Sequence, residues 1–151
     1  GYPIILELVG GNTLESLEKL MEVLKEDTEG CVEYKGLVPY DDLENIYKRA
    51  DGFIFASSCE NMPIILIEAM TSGLPIASSN MGPMPEVLGE AGFYFNPLNT
   101  EDIYQTLKQM VDSKELRVKK SKVSYNKSIN YTWKECSKQT FKYLSEIAKQ
   151  S

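Results

Sequence analysis

A helix with almost no polar face is the feature that most restricts what this chain can fold into. Ile64-Ile65-Leu66-Ile67-Glu68-Ala69-Met70 is apolar on nearly every side, so a helix here must lie buried between a sheet and its neighbours. Immediately upstream, Gly52-Phe53-Ile54-Phe55-Ala56 reads as a short buried strand that empties into Ser57-Ser58 as loop. Between them, Asn61 is a good N-cap candidate, and Pro63, with its φ preset and no N–H, suits a first helical turn. The pattern predicts a helix starting near Asn61.

Two carboxylates frame this helix. The strand delivers Glu60 to its carboxyl end, and seven residues separate it from Glu68. A helix start in that position leaves backbone N–H groups and partial positive charge facing the crevice beyond the strand ends, where α/β sheets bind ligands and phosphate is the natural guest. Glu68 is the exception in the apolar helix. A carboxylate there needs donors, because Asp and Glu are seldom buried without partners. A ligand hydroxyl would serve, and so would a structural pairing with a backbone N–H or a distant Arg.

The rest of the chain alternates strand and helix. Pro3 to Val9 reads as a strand, followed by the turn Gly10-Gly11-Asn12, with Asn12 and Glu15 as a cap pair. Leu14, Leu17, Leu20, Met21 and Leu24 recur at helical spacing and are expected as core. Cys31 to Lys35 is a strand ending in the loop Gly36-Leu37-Val38-Pro39. Asp41 is expected to cap a helix whose inward face is Leu43, Ile46, Tyr47 and Ala50. After the central helix come the strand Leu74 to Ser78, the loop Ser79 to Pro85, a short helix at Glu86-Val87-Leu88 and the strand Gly92 to Phe95. Glu86 is read as structural, capping backbone N–H groups.

Asn99 or Thr100 caps a helix from Glu101 to Val111, with Ile103, Leu107, Met110 and Val111 inward. Lys114 to Asn130 is charged and weakly patterned, and Arg117, Lys119, Lys120 and Lys122 are expected to face solvent. Thr132 and Glu135 form a capping-box pattern opening a last helix, with Trp133, Cys136, Phe141, Leu144 and Ile147 on its apolar side. The alternation argues for α/β: a Rossmann-like, three-layer parallel sheet with helices on both faces.

Composition excludes several chemistries. There is no histidine, which removes Ser-His-Asp and Cys-His nucleophilic catalysis within this chain. Cys31, Cys59 and Cys136 are widely spaced without a C-x-x-C, so neither a disulfide framework nor a zinc site is suggested, and a reducing compartment is expected. No apolar run approaches the ~20 residues of a membrane span, and no signal segment opens the chain. Gly10-Gly11 lacks the rest of a G-x-G-x-x-G fingerprint, which weighs against a dinucleotide cofactor. Net charge is −6 and the pI near 4.8, which disfavours nucleic acid. From Lys114 onward, however, ten Lys or Arg stand against three Asp or Glu. Between Arg49 and Lys108 there is no Lys or Arg at all, so the proposed phosphate site lacks a basic side chain in its central half.

In order, the strand with Ser57-Ser58, Glu60-Asn61-Met62-Pro63, Glu68-Ala69-Met70, Gly73-Leu74-Pro75-Ile76-Ala77 and Pro85-Glu86-Val87 resemble the C-terminal domain of group 1, family 4 retaining glycosyltransferases. That family's two-glutamate motif, E-x(7)-E, is matched by Glu60 and Glu68. Leu6 to Gly11, Val32 to Gly36, Leu43 to Asp51, Gly89 to Gly92 with Pro97, and Trp133 also sit where similar segments occur. The last helix is loosely matched.

The resemblance implies the C-terminal half of a GT-B fold. Residues 1–151 would be a nucleotide-sugar (donor) binding domain truncated at its N-terminal side, with the acceptor domain absent from this chain. Glu68 would accept from the ribose hydroxyls of a nucleoside diphosphate sugar, and Glu60 would act catalytically, contacting the transferred sugar or stabilising its oxocarbenium-like charge. Asn61, Met62, Pro63, Ile64 and Gly11 would lie against sugar and phosphates. Leu37 and Val38 would hold the base through backbone groups, although an ordinary strand-to-helix loop fits those two residues equally well.

Many relatives carry Glu-Gly-Phe-Gly where this chain has Glu60-Asn61-Met62-Pro63, and Gly-Gly near Met81-Gly82-Pro83, which leaves the donor sugar open. The implied reaction is transfer of a hexose-type sugar to an acceptor hydroxyl with retention, without metal or cofactor. The implied partners are the nucleotide sugar, the protein's own N-terminal domain and a lipid-linked or polysaccharide acceptor at the membrane surface. The implied setting is cytoplasmic, peripheral at the inner face of the membrane, in polysaccharide biosynthesis. In enzymes of this architecture the terminal helix commonly crosses back onto the N-terminal domain, and the basic residues holding the diphosphate lie upstream, so this chain alone is expected to be inactive. A sugar phosphorylase, a nucleotide-sugar epimerase of the same architecture, and a degenerate interaction module are the alternatives.

Overall fold

The computed structural model describes residues 2–150 and divides the chain into two compact units, residues 1–46 and 47–151. In the first unit, strand β1 (Leu6–Val9) pairs in parallel with β2 (Val32–Gly36), from Leu6 beside Val32 to Val9 beside Gly36. Residues 3–5, expected as the start of the first strand, lie outside it. Helix α1 (Leu14–Glu26) connects the two strands.

Its cap differs from the expected Asn12–Glu15 pair. Thr13, in extended conformation, accepts the Ser16 N–H, and the Ser16 hydroxyl accepts the Thr13 N–H at 2.9 Å, so the box is one residue further on. Asn12 is committed elsewhere, its side-chain amide donating to the Tyr34 hydroxyl. At the far end of α1, the Asp27 carboxylate accepts the Val32 N–H at 2.8 Å. Backbone N–H groups of Cys31 and Val32 hold that carboxyl below its ordinary range.

The expected core of α1 is not a core. Leu17, Leu20 and Leu24 are half-buried, whereas Leu14 and Met21 are exposed, and no described residue of this unit is fully buried. Two strands offer too little surface to enclose a helix face. Helix α2 (Tyr40–Arg49) begins before Asp41, so Asp41 and Asp42 sit inside its first turn, where they favour the positive end of the helix dipole, and do not act as caps. Its expected inward face holds: Leu43, Ile46, Tyr47 and Ala50 are half-buried between exposed neighbours.

The second unit is a three-layer sandwich. Strands β3 (Phe53–Phe55), β4 (Ile76–Ser79) and β5 (Gly92–Phe95) form a parallel sheet in that order. Side chains alternate across it, as the period of two requires. Phe53, Phe55, Ile76 and Tyr94 face one cluster with Leu66, Ala69, Met70, Met84, Val87 and Leu88. Ile54, Ala77, Phe93 and Phe95 face another with Ile103, Leu107 and Met110. Helices α3 (Ile64–Thr71) and α4 (Met84–Leu88) therefore cover one face, and α5 (Thr100–Asp112) covers the other. Asn99 caps α5 through the Asp102 N–H, as expected.

Helix α6 (Lys114–Ser128) packs along α3, and its Ser124 and Ser128, one turn apart, are buried. Two of its cations correct the expectation of a solvated face. Arg117 donates to the carbonyls of Met110, at 2.8 Å, and Val111, which the end of α5 leaves without helical partners. Lys120 donates to Glu90 O at 2.9 Å and Gly92 O at 2.8 Å, and lies 5.0 Å from the Phe93 ring centroid. Lys119 and Lys122 are exposed as expected.

The carbonyls around α4 and the 3-10 turn Gly89–Ala91 are satisfied by side chains, two of them from more than 40 residues along the chain. Lys127 takes Glu86 O, the Tyr131 hydroxyl takes Val87 O, and the Tyr94 hydroxyl takes Gly89 O. The Glu86 side chain is exposed, and the bond to Lys127 uses its carbonyl. Burial pushes the Tyr94 phenol up to about 12. Gly89 ends α4 at φ +60°, and a Cβ there would meet Lys127 Nζ at 2.9 Å.

The last helix, α7 (Trp133–Ala148), is capped by Thr132 accepting the Glu135 N–H. None of its residues is buried, and Trp133 is 84% exposed. No helix among the described residues is long and apolar enough to cross a membrane.

Candidate functional site

The sequence-predicted residues fall into two groups, one in each unit. In the first unit the loop after β1 and the loop after β2 meet. The Gly10 N–H donates to Gly36 O, and a Cβ on Gly11 would lie 3.3 Å from the Leu37 side chain. Gly11 and Leu37 are thus brought together. Leu37 is 83% exposed, while Val38 is half-buried. Tyr34, which sequence reasoning passed over, clamps this corner: its hydroxyl donates to Gly10 O at 3.1 Å and accepts from Asn12. A tyrosine on a strand with a wet neighbouring turn is the signal that could have found it.

In the second unit the chain leaves β3 at Phe55 and runs through an irregular loop to Pro63. The Ser57 hydroxyl donates to Cys59 O within it. Helix α3 then begins at Ile64, three residues after the expected Asn61. Pro63 occupies the N-cap position and makes no side-chain cap. It is fully buried, and its carbonyl accepts from the N–H groups of Leu66 and Ile67. Burying the ring anchors the start of the helix, so no capping side chain is required, and Asn61 and Met62 stay exposed on the approach. The amides of Ile64 and Ile65 come before the helix's own bonding pattern, the position where N–H groups are available to an anion.

Glu60 is half-buried in this loop. Its backbone runs beside Gly82, where a Cβ would stand 3.9 Å from Glu60 O, and Gly82 has φ +55°. That adjoining loop is shaped by the buried Ser79 hydroxyl, which accepts the Met81 N–H at 3.1 Å. Glu68 is half-buried on α3 between the buried Leu66 and Ala69. Its Oε2 accepts from the Tyr47 hydroxyl at 3.1 Å. The partner that the sequence left open is therefore, at least in part, a phenol on α2. Its signal was a tyrosine on the inward face of an amphipathic helix, whose O–H needs an acceptor when buried.

A loop and helix start with available amides, followed by a held carboxylate, can bind a phosphate and a polyol in sequence. No group of acidic or sulfur ligands with metal-binding geometry occurs among the described residues.

Comparison with known proteins identifies the family of the chain. The family described as Glycosyl transferases group 1 matches residues 1–127. O-antigen chain mannosyltransferase B of Escherichia coli is 30% identical over 139 residues, covering 92% of this chain and 36% of that protein. The chain belongs to the group 1 glycosyl transferases.

Among solved structures, HepE of Anabaena in complex with UDP and glucose superposes on this group 1 chain with a TM-score of 0.83 at 17% identity, covering 97% of the chain and 41% of HepE. The C-terminal domain of a group 1 family protein, LpcC of Francisella tularensis, gives a TM-score of 0.74 at 19% identity, with coverage of 84% and 69%. At those identities the likeness speaks for the GT-B fold alone. The chain spans about a third or less of the length of the curated relatives it matches.

Proposed function

We propose that this chain is the donor-binding part of a retaining glycosyltransferase of GT-B architecture, which transfers a hexose-type sugar from a nucleoside diphosphate sugar to an acceptor hydroxyl. The observation that carries the reading is Glu68: a half-buried carboxylate on the helix that follows the carboxyl end of β3, held by Tyr47 and spaced as E-x(7)-E from Glu60. In this reading Glu68 accepts from the ribose hydroxyls, and a carboxylate has the lone pairs to take a diol beside the phenol. The amides of Ile64 and Ile65 face the diphosphate, and Asn61 and Met62 flank the sugar. Glu60 contacts the transferred sugar where positive charge develops as the diphosphate departs. Gly11, Leu37 and Val38 serve the phosphates and base. Pro63 acts by anchoring the turn, since its ring is buried.

The relatives support this chemistry by name: one is a mannosyltransferase of O-antigen chains, and a similar structure holds UDP and glucose. Surface-polysaccharide assembly at the inner face of a membrane is the setting we propose on that ground. The site has no metal in this reading. Leaving-group stabilisation needs cations that residues 50–107 do not carry, and Arg117, Lys120 and Lys127 are already bound to backbone carbonyls.

The test is a saturation-transfer titration of the chain with UDP, GDP and ADP sugars, repeated on Glu68→Ala. Weak binding of one base, weakened in the variant, supports the reading, and binding undiminished by the substitution overturns it. Turnover by the 151-residue chain should be absent, and turnover at a full enzyme's rate would overturn the assignment of the leaving-group cations to residues outside it.

A further inference from the structure

Tyr47 links two parts of the second unit that the donor reading treats separately. Its ring lies against Phe53 of β3, with centroids 5.9 Å apart and planes at 55°. Its hydroxyl sits 3.1 Å from Glu68 Oε2 and 3.5 Å from Ile65 O. One phenol thus reaches the carboxylate and the carbonyl of the residue whose amide belongs to the first turn of α3. A glutamate side chain has three rotatable bonds, and fixing one oxygen with a donor removes most of that freedom before a ligand arrives. The ring packs against Phe53 of the strand, which restrains where the hydroxyl can stand.

We propose that Tyr47 is a positioning residue for the donor site: it orients the Glu68 carboxylate so that its acceptor lone pairs meet a vicinal diol. The inference rests on the assignment of Glu68 to the ribose. It makes the selectivity of the site for ribonucleotides a property of the Tyr47–Glu68 pair. Tyr47 touches no reacting atom, so its effect appears in recognition of the hydroxyls.

The experiment uses the 151-residue chain with UDP, GDP and ADP, each beside its 2′,3′-dideoxy counterpart, at concentrations up to the millimolar range. It compares wild type, Tyr47→Phe and Glu68→Ala. Tyr47→Phe retains the ring against Phe53 and removes only the hydroxyl. The expected result is a loss of about tenfold in affinity for the preferred ribonucleotide, the size of one hydrogen bond to a charged group, with the dideoxy analogue unchanged. Glu68→Ala should erase the preference altogether.

Equal weakening of ribo- and dideoxynucleotide by Tyr47→Phe would mean a merely structural role and overturns the proposal, as does no weakening of either. If Glu68→Ala abolishes the preference and Tyr47→Phe leaves it intact, the Tyr47 inference alone fails. If Glu68→Ala leaves the preference intact, or no nucleotide binds the wild-type chain, the donor reading fails and this inference with it.

Discussion

The two units are built from the same parts, parallel strands joined through helices, yet only one of them has an interior. Among the described residues, every fully buried hydrophobic one lies in the second unit, where three strands are covered on both faces. The first unit has, among its described residues, two strands and no fully buried residue. Its order is carried by polar contacts instead: the Thr13–Ser16 box, the Tyr34 clamp and the Asp27 carboxylate on Val32. Burial contributes with area, and capping bonds contribute about one kcal/mol each, so the units should differ in how they fail. The candidate carboxylates stand on the buried unit, and the candidate base contacts stand on the exposed one.

The contrast breaks most sharply at one leucine in each unit. Leu66 is fully buried under the sheet, and Leu66→Ala should cost about 3 kcal/mol, within the usual range for a core leucine. Leu20 sits at an equally apolar position of α1 but is half-buried, and Leu20→Ala should cost roughly half as much or less. Denaturant unfolding followed by far-UV circular dichroism measures both. Equal losses would mean that the first unit has a core in solution.

The same contrast explains what the sequence disclosed. The apolar run Ile64 to Met70 was expected to be buried throughout, and the structure corrects that at its start: Leu66, Ala69 and Met70 are buried, whereas Ile64 and Ile65 are exposed at the helix N-terminus; both faces of the sheet are covered as the alternation implied. The heptad-like leucines of α1 gave the helix correctly and its burial wrongly, because periodicity reports which face is apolar and not what covers it. Arg117 and Lys120 were misread for a related reason. Their partners are carbonyls, which every residue carries, so nothing in side-chain identity announces them. At the candidate site, Glu60 and Glu68 were singled out by their setting and by the resemblance, whereas the contacts of Tyr47 with Glu68 and of Tyr34 with Gly10 emerged only when strands and helices brought residues 21 and 24 positions apart together.

A smaller effect sharpens the account of the first unit. Thr13 supplies the cap that the sequence had assigned to Asn12, so Thr13→Ala should cost about 1 kcal/mol of stability. Asn12→Ala removes the bond to the Tyr34 hydroxyl but no cap, so it should leave the first turn of α1 unchanged. Hydrogen exchange of the amides in the first turn of α1 distinguishes the two. Faster exchange in the Asn12 variant than in the Thr13 variant would return the cap to Asn12.

The smallest effect depends on pH. Asp27 has its carboxyl lowered from 3.8, first by the Cys31 and Val32 amides that it accepts from. A carboxyl whose pKa is depressed by folding contributes stability that is complete above its unfolded value and is lost as pH falls through the folded one. Because Asp27 is solvent-accessible, the contribution is screened and should appear as a modest difference in melting temperature. Wild type should exceed Asp27→Ala near neutral pH and converge with it as pH falls through the lowered folded-state pKa, once the carboxyl is protonated in both folded and unfolded chains. The sign can be checked against Cys31, whose thiol is pushed up by burial and by Asp27 beside it. In the Asp27 variant that thiol should titrate at lower pH, measured by its rate of alkylation, and a thiol unmoved by the substitution would mean that the Asp27 carboxylate does not sit over the start of β2 in solution.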